Sequence, residues 1–319
     1  MKTVVCDLSF GDTGKGRVSA FFCKKLNCAW SVRYNGSNNA GHTVYDDEGT
    51  EFKLHQLPAG AVLGKKVCLD VGMAINAEEL KRELLSLKHP IDLYISKNVH
   101  LIQPRHIEAD AQGSGIGSTK KGTAYVYADR ALRKGIRVED KKDELEAELK
   151  CKVYSGLPPI GNENALFEAA QGILLDIDYC KSWPFCSSSS HMPSMVHRIN
   201  HVIAVAKGYT TKVGSGPFYP DVPELRERGS EFGCTTGRPR QCAWFNMNDM
   251  DYALSVINPN EVVITKLDIL DGMKIGCYDR SEQLVWFDSL NSYENFLLEQ
   301  YPQIKWFSTS PKGDLIKVR

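Results

Sequence analysis

The chain has no excess of charge of either sign: 39 basic residues stand against 39 acidic ones in 319. That balance argues against a bulk nucleic-acid-binding or membrane-surface role, both of which call for a basic face. Local pairs such as Lys120-Lys121 and Arg238-Pro239-Arg240 remain available to grip phosphates or carboxylates. No apolar run approaches the roughly twenty residues that span a bilayer. The opening Met1-Lys2-Thr3-Val4 enters a strand-like run directly, without a secretory pattern, so a cytoplasmic protein is expected. The ten cysteines stand singly, with no C-x-x-C pair and no cysteine–histidine cluster at zinc spacing, which reads as reduced thiols buried as small hydrophobes. Repeats and low-complexity segments are missing apart from Ser187 to Ser190. With 42% hydrophobic residues the chain can bury a substantial core, and residues 1–319 read as one globular unit with helical and loop embellishments.

Short β-branched runs punctuate helical patterns: Val4-Val5, Val67 to Val71, Ala165 to Phe167, Val202 to Ala206 and Val262 to Thr265. Runs apolar on both sides fit buried parallel strands, so the expected class is α/β, with a large, mostly parallel central sheet flanked by helices. Several runs end in polar or glycine-bearing segments, which places the chemistry at strand C-termini. Asn76 caps a helix running to Leu87, and Glu139 to Lys150 reads as a charged, solvent-facing helix.

The most informative segment is Gly11-Asp12-Thr13-Gly14-Lys15-Gly16-Arg17, lying between the first strand and an apolar helical run. Glycines let the backbone approach an anion, a helix N-terminus adds about half a positive charge and Lys15 adds a whole one. The Walker pattern fails, because Ser9 stands where its first glycine belongs and Gly16 where its hydroxyl belongs. Asp12 would repel a bare phosphate. Its presence points to a magnesium ion bridging carboxylate and phosphate, or to a proton removed beside the phosphate; a helix-capping Asp in a glycine-rich connection is the plainer alternative.

Further loops carry donors and close-approach glycines. Arg33 to Thr43 is crowded with amides and hydroxyls and includes Asn39, Gly41, His42 and Thr43; His42 follows a glycine and is a catalytic candidate. Gly115 to Gly122 is a third loop of the anion-binding type, containing Thr119. Gln171, near the end of a strand, offers both donor and acceptor to a base edge. Thr235-Thr236-Gly237-Arg238-Pro239-Arg240 joins paired hydroxyls to two guanidiniums, which suits a small dicarboxylate, although solvated surface arginines would read the same. Thr265-Lys266-Leu267-Asp268 closes a strand with a carboxylate able to accept from the N1–H and 2-amino group of guanine while the lysine stem packs along the ring; a strand-end ion pair is the alternative.

Taken in order, GDTGKG, NNAGHT, His55-Gln56-Leu57-Pro58-Ala59-Gly60, GSTKKG, FEAAQGILLDID, KVGSGPF, TTGRPR, TKLDILDG and Ser308-Thr309-Ser310-Pro311 resemble the adenylosuccinate synthetase family from end to end. The resemblance implies a P-loop-NTPase-like fold and a ligase that joins L-aspartate to C6 of a 6-oxopurine nucleoside monophosphate, using GTP and Mg2+. It implies Asp12 as the base for the N1 proton and, with the Gly41 carbonyl, as a magnesium ligand, and His42 as a general acid at the phosphoryl oxygens. Gly14, Lys15, Gly16 and Thr43 fall at the triphosphate positions, and Lys266, Asp268 and Ser308 at those for guanine. Asn39, Thr119, Gln171, Ser187 and Val213 match the nucleoside monophosphate contacts, and Thr235, Thr236, Arg238 and Arg240 the aspartate contacts. Arg133 matches the residue that reaches the neighbouring subunit's substrate, which implies a homodimer.

The departures bear on the substrate. Thr13 stands where cellular members usually carry Glu, Ser310 replaces a glycine, and the chain is short, which points to the archaeal and phage branches. Asp7-Leu8-Ser9-Phe10-Gly11 with Thr13 is most similar to the phage enzymes that make 2-amino-2'-deoxyadenylosuccinate from dGMP for diaminopurine DNA. Some of those use ATP, whereas retention of Asp12 and T-K-L-D implies GTP here. The alternative is ordinary synthesis of adenylosuccinate from IMP. A GTPase-like switch is a more distant one, set against by His42 and the Thr-Thr-Gly-Arg run.

Overall fold

A computed structural model describes residues 1–113, 117–233, 237–310 and 314–319. Among these, ten strands form one sheet in the spatial order Ile316–Lys317, Ile304–Phe307, Glu261–Thr265, His201–Lys207, Lys2–Asp7, Ala165–Glu168, Trp30–Arg33, Lys66–Leu69, Leu93–Ser96, Cys151–Tyr154. Every neighbouring pair is parallel except Ile304–Phe307 with Ile316–Lys317. The expected α/β class with a mostly parallel sheet is therefore what the chain forms. All five expected runs lie in this sheet. The reason is visible in Val4, Val5 and Cys6, in Val67, Cys68 and Leu69, and in Val262, Val263 and Ile264: each triplet is fully buried, as strands covered on both faces must be.

The chain first winds outward from Lys2–Asp7 toward Cys151–Tyr154, then returns to insert Ala165–Glu168 beside its own first strand, and next continues on the opposite side with His201–Lys207. That reversal opens a crevice at the C-terminal ends of the middle strands, where open parallel sheets bind ligands.

Three expectations change in detail. The strand expected to end at Val71 stops at Leu69, because the chain turns there, the Asp70 carbonyl accepting from the Met73 amide at 2.9 Å. The charged segment from Glu139 becomes a 3-10 turn, Val138–Lys141, and a helix, Lys142–Leu149, that buries Leu145 and Leu149 while leaving its charges outside. His42 does not sit in a loop: it begins a short hairpin strand, His42–Tyr45, paired with Glu51–Leu54 and anchored by fully buried Val44. The cap on Ala77–Ser86 is as expected, with the Asn76 side chain accepting from the Glu79 amide at 3.0 Å. A second, mixed sheet of Tyr209–Lys212, Gln241–Asn246, Ile275–Tyr278 and Leu284–Phe287 was not among the expected runs.

Candidate active site

The strand Lys2–Asp7 delivers the phosphate-binding turn to the crevice. Gly11, Asp12 and Gly14 all take left-handed backbone angles, with φ of 89°, 57° and 84°, and the helix Lys15–Lys25 starts behind Gly14 without a side-chain cap. Asp12 therefore stands two residues before the cap position and does not cap, and the start of this helix is of the kind that receives anions. Left-handed geometry at a residue with a side chain is costly and concentrates where function imposes it. Gln171 and Lys266, each just beyond another central strand, share it, with φ of 38° and 61°. Gly16 is needed for a different reason: a Cβ there would lie 2.8 Å from His42 Cδ2, so only glycine lets the imidazole rest against the helix start.

Beneath the turn lies Asp7, fully buried. Its Oδ2 accepts from Lys15 Nζ at 2.7 Å and from the Thr13 hydroxyl, and its Oδ1 accepts from the Ser9 amide at 2.7 Å. The Asp7 amide in turn donates to His191 Nε2 at 2.9 Å, while His191 Nδ1 meets the Ala170 carbonyl at 2.8 Å. Those two contacts define a neutral imidazole, and burial together with nearby Lys15 pushes its pKa down to about 4.

His42 lies 3.2 Å through Nε2 from Glu168 Oε1 at the end of the strand Ala165–Glu168. The same carboxylate accepts from Arg33 Nη1 at 3.0 Å and from the Ala59 amide at 3.0 Å. Burial pushes the His42 pKa down to about 4 despite Glu168, so the ring is neutral and its Nε2 has no aligned hydrogen bond among the described residues. For Glu168, burial opposes ionisation, while the Arg33 guanidinium and the Ala59 amide favour it, and the carboxyl lies below its usual range.

Gly36 presses against Ala170, where a Cβ would approach within 2.6 Å, and this contact joins the Asn39 loop to the Gln171 loop. Asn39 Oδ1 accepts from the Ser37 amide and hydroxyl at 3.2 and 3.0 Å, and the Ser37 hydroxyl meets Thr123 Oγ1 at 2.5 Å. Gln171 Nε2 donates to the Ser189 carbonyl and hydroxyl at 3.1 and 2.8 Å, leaving Gln171 Oε1 buried and without a partner among the described residues. Since a carbonyl only accepts, the Ser189 contact sets which end of the amide faces it. Ser187 is tied by its amide to the Leu175 carbonyl at 2.7 Å.

Thr119 and Val213 are half-buried, and the neighbouring Gly117 and Gly214 are in close contact. A cavity of about 550 Å3 opens beside this loop, lined among others by Ser118, Tyr125, Ser215 and Arg238; Asp12 does not line it. Arg238 Nη1 donates to the Gly117 carbonyl at 3.2 Å. Lys120 and Lys121 are not available to grip a ligand as expected: Lys120 Nζ donates to the Asp110 and Gly113 carbonyls at 2.8 and 2.5 Å, and Lys121 pairs with Glu79 at 2.8 Å. Arg133 is exposed on the turn after the helix Thr123–Ala131, and nothing described joins it to the Asp12 group. Thr235 and Thr236 lie outside the described residues.

On the other side of the turn, Arg240 Nε lies 2.9 Å from Asp12 Oδ2 and its Nη1 donates to Glu231 Oε2 at 2.5 Å. Lys266 Nζ donates to the Gly229 carbonyl at 2.9 Å. Ser308 is buried and donates its amide to the Ile264 carbonyl at 2.9 Å, which brings it beside Lys266 and the half-buried Asp268. Arg17, on the phosphate-binding helix, reaches the same corner: its Nη1 donates to Ser308 Oγ at 2.5 Å and to the Ser310 carbonyl. Asp7, Glu168, Glu231, Arg17 and His191 were not assigned roles from the sequence. For Asp7 and Glu168 a signal existed, an acid closing an apolar strand; the other three offered none.

A parallel sheet whose strand ends gather an anion-binding helix start, an exposed-facing carboxylate and several guanidiniums is built as a nucleotide-dependent enzyme. The family model described as adenylosuccinate synthetase matches residues 4–156 and 160–277, and the chain belongs to that family of carbon–nitrogen ligases. The adenylosuccinate synthetase of Pelotomaculum thermopropionicum is 37% identical, the match covering 86% of this chain and 79% of the relative. That of Desulforamulus reducens is 34% identical over 85% and 78%. Two solved structures share the fold. Fully ligated adenylosuccinate synthetase from Plasmodium falciparum superposes with a TM-score of 0.84 at 23% identity, covering 99% of both chains. Cyanophage S-2L succinoaminodeoxyadenylate synthetase, bound to dGMP and dATP, does so at 0.81 and 20%, covering 99% of this chain and 95% of that one. No helix of the described residues is long and apolar enough to cross a membrane.

Proposed function

We propose that this chain joins L-aspartate to C6 of a 6-oxopurine nucleoside monophosphate, with GTP as phosphoryl donor, and that its preferred acceptor is dGMP. Asp12, raised from the turn in left-handed geometry, removes the N1 proton so that the C6 oxygen attacks the γ-phosphorus. His42 acts on the developing phosphoryl charge. It is neutral, and it presents an Nε2 that lacks an aligned partner among the described residues, beside the Gly16 helix start. The amine of aspartate then displaces phosphate from C6. Thr235, Thr236 and Arg238 hold its carboxylates, with Arg240 at their edge. Asn39, Thr119, Gln171, Ser187 and Val213 receive the monophosphate nucleotide; Gly14, Lys15, Gly16 and Thr43 receive the triphosphate; Lys266, Asp268 and Ser308 receive guanine.

Magnesium suits the donors present. The Asp12 carboxylate, about a third exposed, and the Gly41 carbonyl are hard oxygens, and Mg2+ is commonly held by one or two carboxylates together with phosphates and water. When bound there, the ion offsets negative charge on the triphosphate. A homodimer is part of this reading, with exposed Arg133 reaching the partner's site, and so is the treatment of the whole chain as a single synthetase-like domain.

One observation carries the choice of dGMP: the Gln171 amide is oriented by Ser189 so that, among the described residues, its buried oxygen is left as an acceptor without a donor. The 2-amino group of dGMP is such a donor, and IMP lacks it. An unpaired buried polar group costs about 1–3 kcal/mol, enough to discriminate. The phage structure with dGMP bound has the same fold. IMP remains the second reading, favoured by the 34–37% identity to bacterial enzymes named adenylosuccinate synthetase. A product assay with aspartate and GTP against IMP, GMP, dIMP and dGMP separates the two: fastest adduct formation with dGMP is expected, and equal or faster turnover of IMP overturns that choice. GTP cleavage that needs neither aspartate nor a purine monophosphate would instead indicate a switch.

A further inference from the structure

Resting on the reading of Asp12 as the base, we infer that Glu231 is a positioning residue for the ligation, because its buried carboxylate aims Arg240 at Asp12. The contacts are specific. Glu231 is fully buried, and its Oε2 accepts from Arg240 Nη1 at 2.5 Å. Its Oε1 accepts from Lys207 Nζ at 2.8 Å and from the Tyr209 hydroxyl at 2.5 Å, with Lys266 Nζ 3.9 Å away. The Arg240 amide also donates to the Glu231 carbonyl at 2.9 Å, so backbone and side chain hold the same pair.

A guanidinium is a rigid planar fork, so holding Nη1 determines where Nε points. Here Nε lies 2.9 Å from Asp12 Oδ2. The N–H is not aligned on that oxygen, so the contact is one of charge and proximity. Glu231 has little freedom to let Arg240 swing away. A Cβ on Gly229 would lie 3.0 Å from Glu231 Cγ and 2.5 Å from the Tyr209 hydroxyl, which shows how closely this corner is packed. Lys207 closes the strand next to Lys2–Asp7, so the anchor of the relay belongs to the central sheet and not to a loop. Burial opposes the Glu231 charge, and Lys207, Arg240 and Lys266 overcome it, holding the carboxyl at about 2. Glu231 is therefore ionised throughout the working pH range. Arg240 consequently lies between two protein carboxylates, a different job from gripping the carboxylates of aspartate.

The test compares Arg240→Lys with Glu231→Gln in the full-length chain, after wild-type adduct formation has been measured. Lysine keeps the positive charge beside Glu231 but cannot bridge both acids. For Arg240→Lys the expected result is a kcat about a hundredfold lower with the KM for aspartate within about threefold of wild type, the signature of a misplaced reacting group. Glu231→Gln should show the same split, and the double variant should be no slower than Arg240→Lys alone, because both changes break one relay. A raised aspartate KM with kcat retained in Arg240→Lys would make Arg240 a substrate contact and overturn the inference. So would full additivity of the two changes. If Glu231→Gln does not fold, Glu231→Asp, which keeps the charge but shortens the reach to Arg240, takes its place: the same loss of kcat at an unchanged KM for aspartate is expected, and wild-type kinetics overturn the inference. Failure of the wild type to form any aspartate adduct would instead sink the functional reading, and is seen before either variant is made.

Discussion

Lys15 Nζ stands 2.7 Å from the Asp7 carboxylate, so the cation of the phosphate-binding turn is held from below by a buried anion. Removing one partner of such a pair strands the other's charge, at a cost of about 3–5 kcal/mol. Asp7→Asn is expected to lower stability by about that amount and to weaken GTP binding, since Lys15 and Thr13 lose their common acceptor. Denaturant unfolding and GTP titration check this. Wild-type values in both would mean that the pair contributes nothing.

Asp12→Asn is expected to lower turnover at least about a hundredfold, the lower end of what a positioned base contributes. GTP binding should persist, because the helix start and Lys15 are unchanged. Near-normal turnover in the variant would remove Asp12 from the chemistry.

Arg17 links the phosphate-binding helix to Ser308 and Ser310, next to Asp268. Burial lowers the guanidinium pKa of Arg17, and Asp268 and Asp314 nearby oppose that shift. Asp268→Asn should weaken GTP and narrow its advantage over ATP by about tenfold or more, read from kcat/KM for the two donors. An unchanged preference would mean that guanine is read elsewhere.

Stability should depend on pH through His42 and His191. Both are held near 4 when folded, against about 6.5 when unfolded. Between those values the unfolded chain binds protons that the folded one does not, so the contribution is complete above about 6.5 and is lost as pH falls toward 4. Each shift corresponds to about 3 kcal/mol at most. Unfolding free energies measured at pH 7.5 and pH 5 should differ accordingly, and His191→Gln should flatten the dependence. Equal slopes for variant and wild type would falsify the assignment to His191.

Much of the fold was legible because it is written locally. Val4-Val5 and Val262 to Thr265 are strands by their own composition, Asn76 caps the helix that follows it, and Gly11, Asp12 and Gly14 mark a turn at the end of a strand. The site was legible as a set of loops but not as a set of contacts. Lys120 and Lys121 looked like ligand-binding cations until Asp110, Gly113 and Glu79 turned out to occupy them. Arg240, expected among the aspartate contacts, lies between Glu231 and Asp12, a relation that no local pattern signals.

What the amino-acid order settles unaided is the class of chain and the kind of loop at each strand end, since hydrophobic runs and glycine placement act over a few residues. Partner choice among charges was decided only by folding. Arg17 and Ser308 are 291 positions apart, and Lys15 pairs with the acid under its turn while Arg240 pairs with the acid upon it. An ion pair depends on the separation and burial of two groups in space, and the crevice that determines both exists only once His201–Lys207 and Ala165–Glu168 have closed on either side of the first strand.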